Sequence, residues 1–593
     1  MKRIYIVSVI LLMSISILSC NDGFMTRAPL DEVSDENFWR TAQDMELYTN
    51  TFYQTYIRGH GYSWAAGRVQ PYGVNEGLAY RDVLSDNAAP ESYLGITNNE
   101  YDSYNSGSSV GWSWDDIRSL NYFLANYKRG NVDPADRNIY LGEVLFFKAW
   151  AYYKKVKIFG AVPWLSKPLN VDSPELMGER DPREAVMDSV LNILDQSIEY
   201  LPAKGEEKAG RIHKDVALAL KSRIGLFEGT YRKYHTDLGL DETKFLQASV
   251  EASERLMTEG SYAIYSTGDT QSDYYDLFST YSYSDNPEII FWKDYSTESG
   301  LGHAFARYWA QNLRHRFGAT RSLVETYLAS DGKPISVSPV FEGKDSIQQE
   351  MTNRDPRLTQ TIANFGEYNL TEGAMGANNA PVPNIPGLSG NTCPTGFRVA
   401  KWYMNDPAEW DRVYNGIQAA PVFRYAEVLL NYAEAKYELG QITQSDIDRT
   451  INAIRDRVDM PHLMMGNVPD DPALDSQYSQ YVGYVPDPLL REIRRERRVE
   501  LAFEGFRWDD LMRWKAGGFL EKPVEGIKFV QEQFPSVVTG SDVFLSEEGF
   551  IRPYAETLPN GREFDERQYL FPLPTEQLVL NPNLDQNPGY DSP

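Results

Sequence analysis

The sequence predicts a mainly α protein, with four degenerate tetratricopeptide-like helix pairs and an irregular, loop-rich segment of minor β content. Three observations carry that expectation. Three stretches, FFKAWAYYKKVKIFG, ALALKSRIGLFEG and LLNYAEAKYELG, place small residues early, aromatic or long apolar residues later, and a glycine last (Gly160, Gly229, Gly440). Such spacing lets neighbouring helices approach closely, as in tetratricopeptide repeats. Each stretch has a companion at helical period, residues 181–201, 243–259 and 443–458, and Leu489 opens a fourth pair. Between Gly260 and Pro421 the period fades into segments such as NNAPVPNIPGLSGNTCPTG. A loop region this long inside a helical chain usually carries function.

Taken in order, the chain begins with Lys2 and Arg3 ahead of an apolar run, residues 4–18, that ends in Ile17-Leu18-Ser19-Cys20. The run is shorter than the roughly 18 residues of a spanning helix. It predicts a signal peptide over 1–19, a leader over 20–36, and a lipid on Cys20. Only one other cysteine exists, Cys393 in NTCPTG, so no disulfide is expected in the mature chain. One lipidated residue tethers a soluble body beside a membrane without spanning it.

The body, residues 37–593, has a helical frame over about 37–57, 113–260 and 419–516, and loop-rich segments over about 58–112, 261–418 and 517–568. The first helix is expected over 37–57, capped by Ser34 or Asp35. The second starts near Trp114 and places Asn121 inside. The third, 139–159, stops at Gly160, and Pro163 forbids its continuation. Residues 288–294 read as a strand.

The stretch LLREIRRERRVELAFEGFRWDDLMRW (489–514) is the densest in chemistry. Leu490, Ile493 and Leu501 fall on one helical face, with Arg497 interrupting them, while Glu496, Glu500 and Phe503 lie on a neighbouring face. Buried arginines need carboxylates, so this is expected to be a helix wedged between others, its Arg–Glu lattice fixing register. Gly505 marks a break before a second short helix. The four interleaved glutamates and a formal net charge of −26 argue against a phosphate or nucleic-acid patch.

IRRERRVELAFEGFRWDDLMRW resembles the C-terminal signature of the SusD/RagB family, surface lipoproteins of nutrient uptake in Bacteroidetes. The lipobox leader, IFGAVPW (158–164), NRDPRLTQTI (353–362), FRYAEVLLNYAEAKYELG (423–440), NAIRDRVDMP (452–461) and the final LFPLPTEQLVLNPNLDQNPGY follow in the family's order. The resemblance implies four tetratricopeptide-like helix pairs and an irregular second half bearing the ligand site. It also implies a SusC-like TonB-dependent outer-membrane transporter as partner, over which the protein sits as a lid.

For catalysis there is little: no HExxH, no GxSxG and no phosphate-cradling glycine loop. The six histidines are scattered without ligand spacing. No enzyme activity, cofactor or metal is expected. The 39 Tyr, 12 Trp and 26 Phe point instead to sugar binding, since sugar faces stack on aromatic planes while polar groups bond the hydroxyls. Trp39, Trp150, Trp508 and Trp514 follow helical patterns and are expected in the core, with Trp292 structural in its strand. Loop aromatics with nearby polar residues are the ligand candidates: Trp64, Tyr72, Arg81, Tyr93, Tyr101 and Tyr104 in one segment, and Tyr295, Trp309, Asn312 and Arg314 in another. The two segments are expected to meet in one groove. An oligosaccharide is the expected ligand. The alternatives are a peptide on the same scaffold, or a protein-interaction scaffold without a small ligand.

Overall fold

The computed structural model describes residues 38–60, 78–100, 111–311, 316–363 and 382–590. Cys20, the signal run and the leader lie outside them. The fold is mainly helical, as expected.

The first helix, α1 (Ala42–Tyr56), starts later than the sequence indicates. Its cap is Thr41, whose hydroxyl accepts from the Asp44 amide at 3.2 Å while Asp44 accepts from the Thr41 amide at 2.7 Å. Ser34 and Asp35, the caps expected from sequence, lie outside the described residues; ahead of the helix Trp39 takes φ 67° and buries its indole against Phe38, Tyr48 and Phe123. A left-handed residue does not continue a helix. There follow α2 (Asp115–Asn126) and α3 (Pro134–Phe159), the latter capped by Asp133 and ended at Gly160, φ 71°. Asn121 is buried as expected, donating to Leu165 O at 2.9 Å and accepting from the Lys148 ammonium at 2.7 Å.

Helices α4 (Arg183–Tyr200), α5 (Lys214–Tyr234) and α6 (Thr243–Thr258) continue the frame, α3 packing on α4 and α5 on α6. Gly229 does not end its helix; α5 runs five residues past it. The glycine serves packing instead. A Cβ at Gly229 would lie 2.7 Å from Leu246 Cγ, and one at Gly225 only 2.6 Å from the Ser249 amide. These two positions set how closely α5 and α6 approach.

The frame resumes with α7 (Tyr425–Glu438), which packs on α5 and α6. Beside α7 lies α8, which runs from Gln444–Ile447 through a π turn at Asp448–Asn452 to Ala453–Asp456. Last come α9 (Pro488–Glu500), packed on α7, and α10 (Arg507–Arg513). Gly505, φ 79°, breaks the chain between them. Trp39, Trp150, Trp508 and Trp514 are all buried in the core under the frame. A second core, holding Trp309, Trp402 and Phe503, fills the loop-rich half.

Two short antiparallel sheets join the halves. Strand β1 (Ala88–Ala89) pairs with β3 (Gly318–Ala319), and β2 (Ile289–Lys293) with β4 (Ala420–Arg424), the strand that runs into α7. The two segments expected to carry ligand do meet. Tyr80 packs edge-on to Trp309 at 5.3 Å, and the Thr320 amide donates to Asn87 O at 2.9 Å.

Every residue of α9 from Leu489 to Glu500 is buried. The lattice exists, but its carboxylates mostly reach outside the helix. Glu500 takes Arg457 Nη2 at 2.6 Å on both oxygens, Arg424 Nη1 at 2.8 Å and Arg357 Nη1 at 3.0 Å. Glu496 takes Arg357 at 2.6 Å and Arg455 at 2.8 Å. Glu504 takes Arg424 and Lys401, each at 2.7 Å. Arg497 pairs with Asp510 at 2.9 Å, binding α9 to α10. The three arginines on Glu500 come from NRDPRL, FRYAEV and AIRDRV, so separate motifs of the sequence converge on one carboxylate.

Candidate functional site: a cavity between α1 and β2

Of the ligand residues expected from sequence, Trp64, Tyr72, Tyr101, Tyr104, Asn312 and Arg314 lie outside the described residues. Two of the others are corrected. Trp309 is 2% exposed. Its Nε1 donates to Lys401 O at 2.7 Å, and its ring packs on Tyr80, Phe305 and Phe317. Tyr295 is 6% exposed, its hydroxyl accepting from the His60 amide at 2.9 Å. Both are packing residues, because their polar atoms are taken by backbone groups and their rings by other rings. Tyr93 is half-buried; it lies edge-on to Tyr554 at 6.1 Å and donates to Glu100 at 2.9 Å. Arg81 pairs with Asp509 at 2.7 Å at the wall of a small cavity. Asp86, in the same segment as Arg81 and Tyr93, is framework and holds Arg507 at 2.7 and 2.9 Å.

A ring that lines open space stands three residues before Tyr295. Trp292 is half-buried at the end of β2 and lines a cavity of about 650 Å³. Its Nε1 donates to Asp294 at 2.7 Å, which fixes the tilt of the indole. From sequence Trp292 is expected to be structural because it falls in a strand-like run, and its neighbours Ile289, Ile290 and Phe291 are indeed buried. The signal that marks it as different is the polar run after it, Lys293-Asp294, at the point where the strand leaves the sheet.

The opposite wall is the last turn of α1, with Tyr53, Gln54 and Ile57. The loop leading into α5 closes one end with Glu207, Arg211 and His213. Arg211 is locked in place by Glu143, Asn50 and Thr49, and Tyr53 Oη accepts from the Ile212 amide at 3.0 Å. His213 is 4% exposed, yet its Nδ1 makes no hydrogen bond within the protein. Burial lowers the pKa of this imidazole, which favours the neutral form. The cavity thus combines an aromatic plane with the polar groups of Gln54, Glu207, Arg211 and Asp294. Its lining includes no serine, threonine or cysteine.

Among the described residues, one group has the composition of a metal site: His235, Asp237 and Glu566, with ligand atoms within 4.8 Å of one another. Lys515 already stands there, its ammonium 2.7 Å from Glu566 and 3.5 Å from Asp237, and supplies the positive charge that the carboxylates need.

With the geometry in place, similarity to known proteins identifies the scaffold. The SusD family profile matches residues 259–590. The chain belongs to the SusD/RagB family. A second profile, described as starch-binding associating with outer membrane, matches residues 30–226. A SusD-like protein of Formosa agariphila is 25% identical over 555 residues, covering 89% of this chain and 95% of the relative. Among solved structures, a SusD-like carbohydrate binding protein from Bacteroides fragilis superposes with a TM-score of 0.72 at 23% identity, over 92% of this chain and 100% of that one. A laminarin binding SusD-like protein superposes at 0.55 with 18% identity, over 93% of this chain and 100% of that one. The two structures establish the shared fold.

Proposed function

We propose that this SusD-family protein is a non-enzymatic cell-surface lipoprotein that captures an oligosaccharide and passes it to a TonB-dependent outer-membrane transporter. The observation that carries the reading is the Trp292 cavity. An indole held at a fixed tilt accepts the C–H face of a sugar ring, and the surrounding side chains of Gln54, Glu207 and Arg211 bond its hydroxyls. Membership of a family whose relatives bear carbohydrate-binding names supports the same conclusion. Isothermal titration with laminari-, malto- and xylo-oligosaccharides beside a peptide panel tests it. Saturable binding of an oligosaccharide, weakened in Trp292→Ala, is the expected outcome; binding confined to peptides would contradict it.

Anchoring follows from Cys20. Cys20→Ala is expected to abolish incorporation of a fatty-acid probe and release a folded protein from the membrane fraction. Label retained by the alanine variant would refute the anchor.

A further inference from the structure

The other face of α1 looks onto a second space. A cavity of about 470 Å³ lies between α1, α2 and α3, and it shares Tyr56, Arg58 and Lys154 with the smaller cavity, of about 130 Å³, that Arg81 lines. In a chain of formal net charge −26, the walls of these two cavities are unusual. They carry six Lys or Arg side chains against four carboxylates, Asp115, Asp116, Glu504 and Asp509. Most of these charges already have partners, Arg223 among them, which takes Glu427 at 2.6 Å. Asp116 takes the Tyr56 hydroxyl at 2.6 Å, and Asp115 the Ser113 hydroxyl at 3.0 Å. Glu504 is held by Arg424 and Lys401, and Asp509 by both Arg81 and Lys157.

Lys155 sets the character of the larger cavity. It is 4% exposed and lies 4.6 Å over the Trp114 ring. Its ammonium donates to Gly111 O at 3.0 Å and to Ser113 O. An ammonium has three N–H groups, and no described residue accepts the third or pairs with it as a carboxylate. The charged and titratable groups facing it are Asp115 and Asp116 of α2, Lys154 of α3, and Arg58 and Tyr56 at the end of α1. Burial lowers its pKa to about 8, against the upward pull of the two aspartates. A buried cation held by two carbonyls and an aromatic face, with no carboxylate in direct contact among the described residues, is costly, and an anion entering the cavity would offset that cost.

We infer that this cavity takes the acidic group of a charged glycan, a sulfate ester or a uronate carboxylate, with Lys155 as its buried partner and Arg58 and Lys154 at the rim. The inference deepens the glycan-binding reading and rests on it. It adds a charge-selective subsite on the flank of α1 away from Trp292.

The test is calorimetric titration of the mature protein, at constant ionic strength, with three probes: a dextran hexasaccharide, its sulfated form, and hexagalacturonate. At least one charged probe is expected to bind tenfold or more tightly than the neutral one at pH 7. Which of the two does so separates sulfate from carboxylate. The preference is expected to vanish in Lys155→Met and to shrink in Lys154→Gln. It should also fade between pH 7 and pH 9.5, because deprotonation of Lys155 removes the charge. Equal affinity for all three probes would overturn the inference, as would a preference surviving in folded Lys155→Met. Should Lys155→Met fail to fold, a preference flat to pH 9.5 overturns it. The glycan reading itself fails separately, through Trp292→Ala binding neutral sugars as well as wild type.

Discussion

Replacing Glu500 by glutamine is expected to destabilise the protein by about 3–5 kcal/mol, the usual consequence of removing one partner from a buried ionic cluster. Three guanidinium groups, from Arg357, Arg424 and Arg457, converge on this one carboxylate, and all four residues are buried. Glutamine keeps the shape but not the charge. The arginines would then be left with Glu288, Asp355, Glu496 and Glu504 alone. The same cluster predicts a pH dependence. The arginines hold the Glu500 pKa well below its usual value despite burial, which raises it. A folded pKa below the unfolded one means that the stabilisation is fully present above about pH 4.3, the unfolded glutamate value. It is lost progressively as pH falls below that value. Chemical denaturation from pH 7 to pH 3 should therefore show wild type losing stability in acid and Glu500→Gln losing less. Binding of ligand by whatever fraction of the variant is folded should be unchanged. A variant with the wild-type melting temperature but no ligand binding would show that the cluster is a site and not a frame.

The second large effect separates two tryptophans. Trp292→Ala is expected to weaken oligosaccharide binding by roughly tenfold, about 1–2 kcal/mol for loss of one stacking plane, with little change in melting temperature because the ring is only half-buried. Trp309→Ala is expected to do the reverse. Its ring is enclosed by Tyr80, Phe305 and Phe317, and deleting a buried tryptophan costs about 3–5 kcal/mol. Folded Trp309→Ala should bind sugar as wild type does. Calorimetry and thermal melting of both variants decide the matter, and an exchanged pattern would restore Trp309 as the ligand platform.

The helical frame was legible because its signals are local. The apolar period and Gly160 at the end of α3 depend on a few neighbouring residues, whereas the start of α3 at Pro134, five residues before the expected 139, was missed. The Arg–Glu lattice was legible in kind, since so many charges beside so many aromatic residues demand burial with partners. Its wiring was not. Sequence suggests partners three or four residues away, whereas Glu500 draws on residues 43, 76 and 143 positions distant. Gly229 misled for a related reason: a glycine that ends a helix and one that admits a neighbouring helix read alike, and only the proximity of Leu246 tells them apart.

The candidate site was not legible in the sequence: of the two segments expected to carry ligand, only Leu301 lines the Trp292 cavity. The loop segments do meet beside β2, but sequence cannot say which side of a ring faces water. Trp309 sits in a short helix whose inner side closes the second core. Trp292 lies at the end of a strand whose preceding residues are buried, and alternation alone does not reveal that β2 pairs with β4 through a bulge between Phe291 and Trp292. That irregularity, a tertiary feature, falls next to the residue that lines the cavity.

A crystal structure of the mature protein with an oligosaccharide that binds in titration tests the central claim most directly. The account predicts a sugar ring stacked on the Trp292 indole, between β2 and the last turn of α1, with a hydroxyl within hydrogen-bond distance of Gln54, Glu207 or Arg211. A sugar bound elsewhere, with the Trp292 cavity holding only solvent, would contradict it.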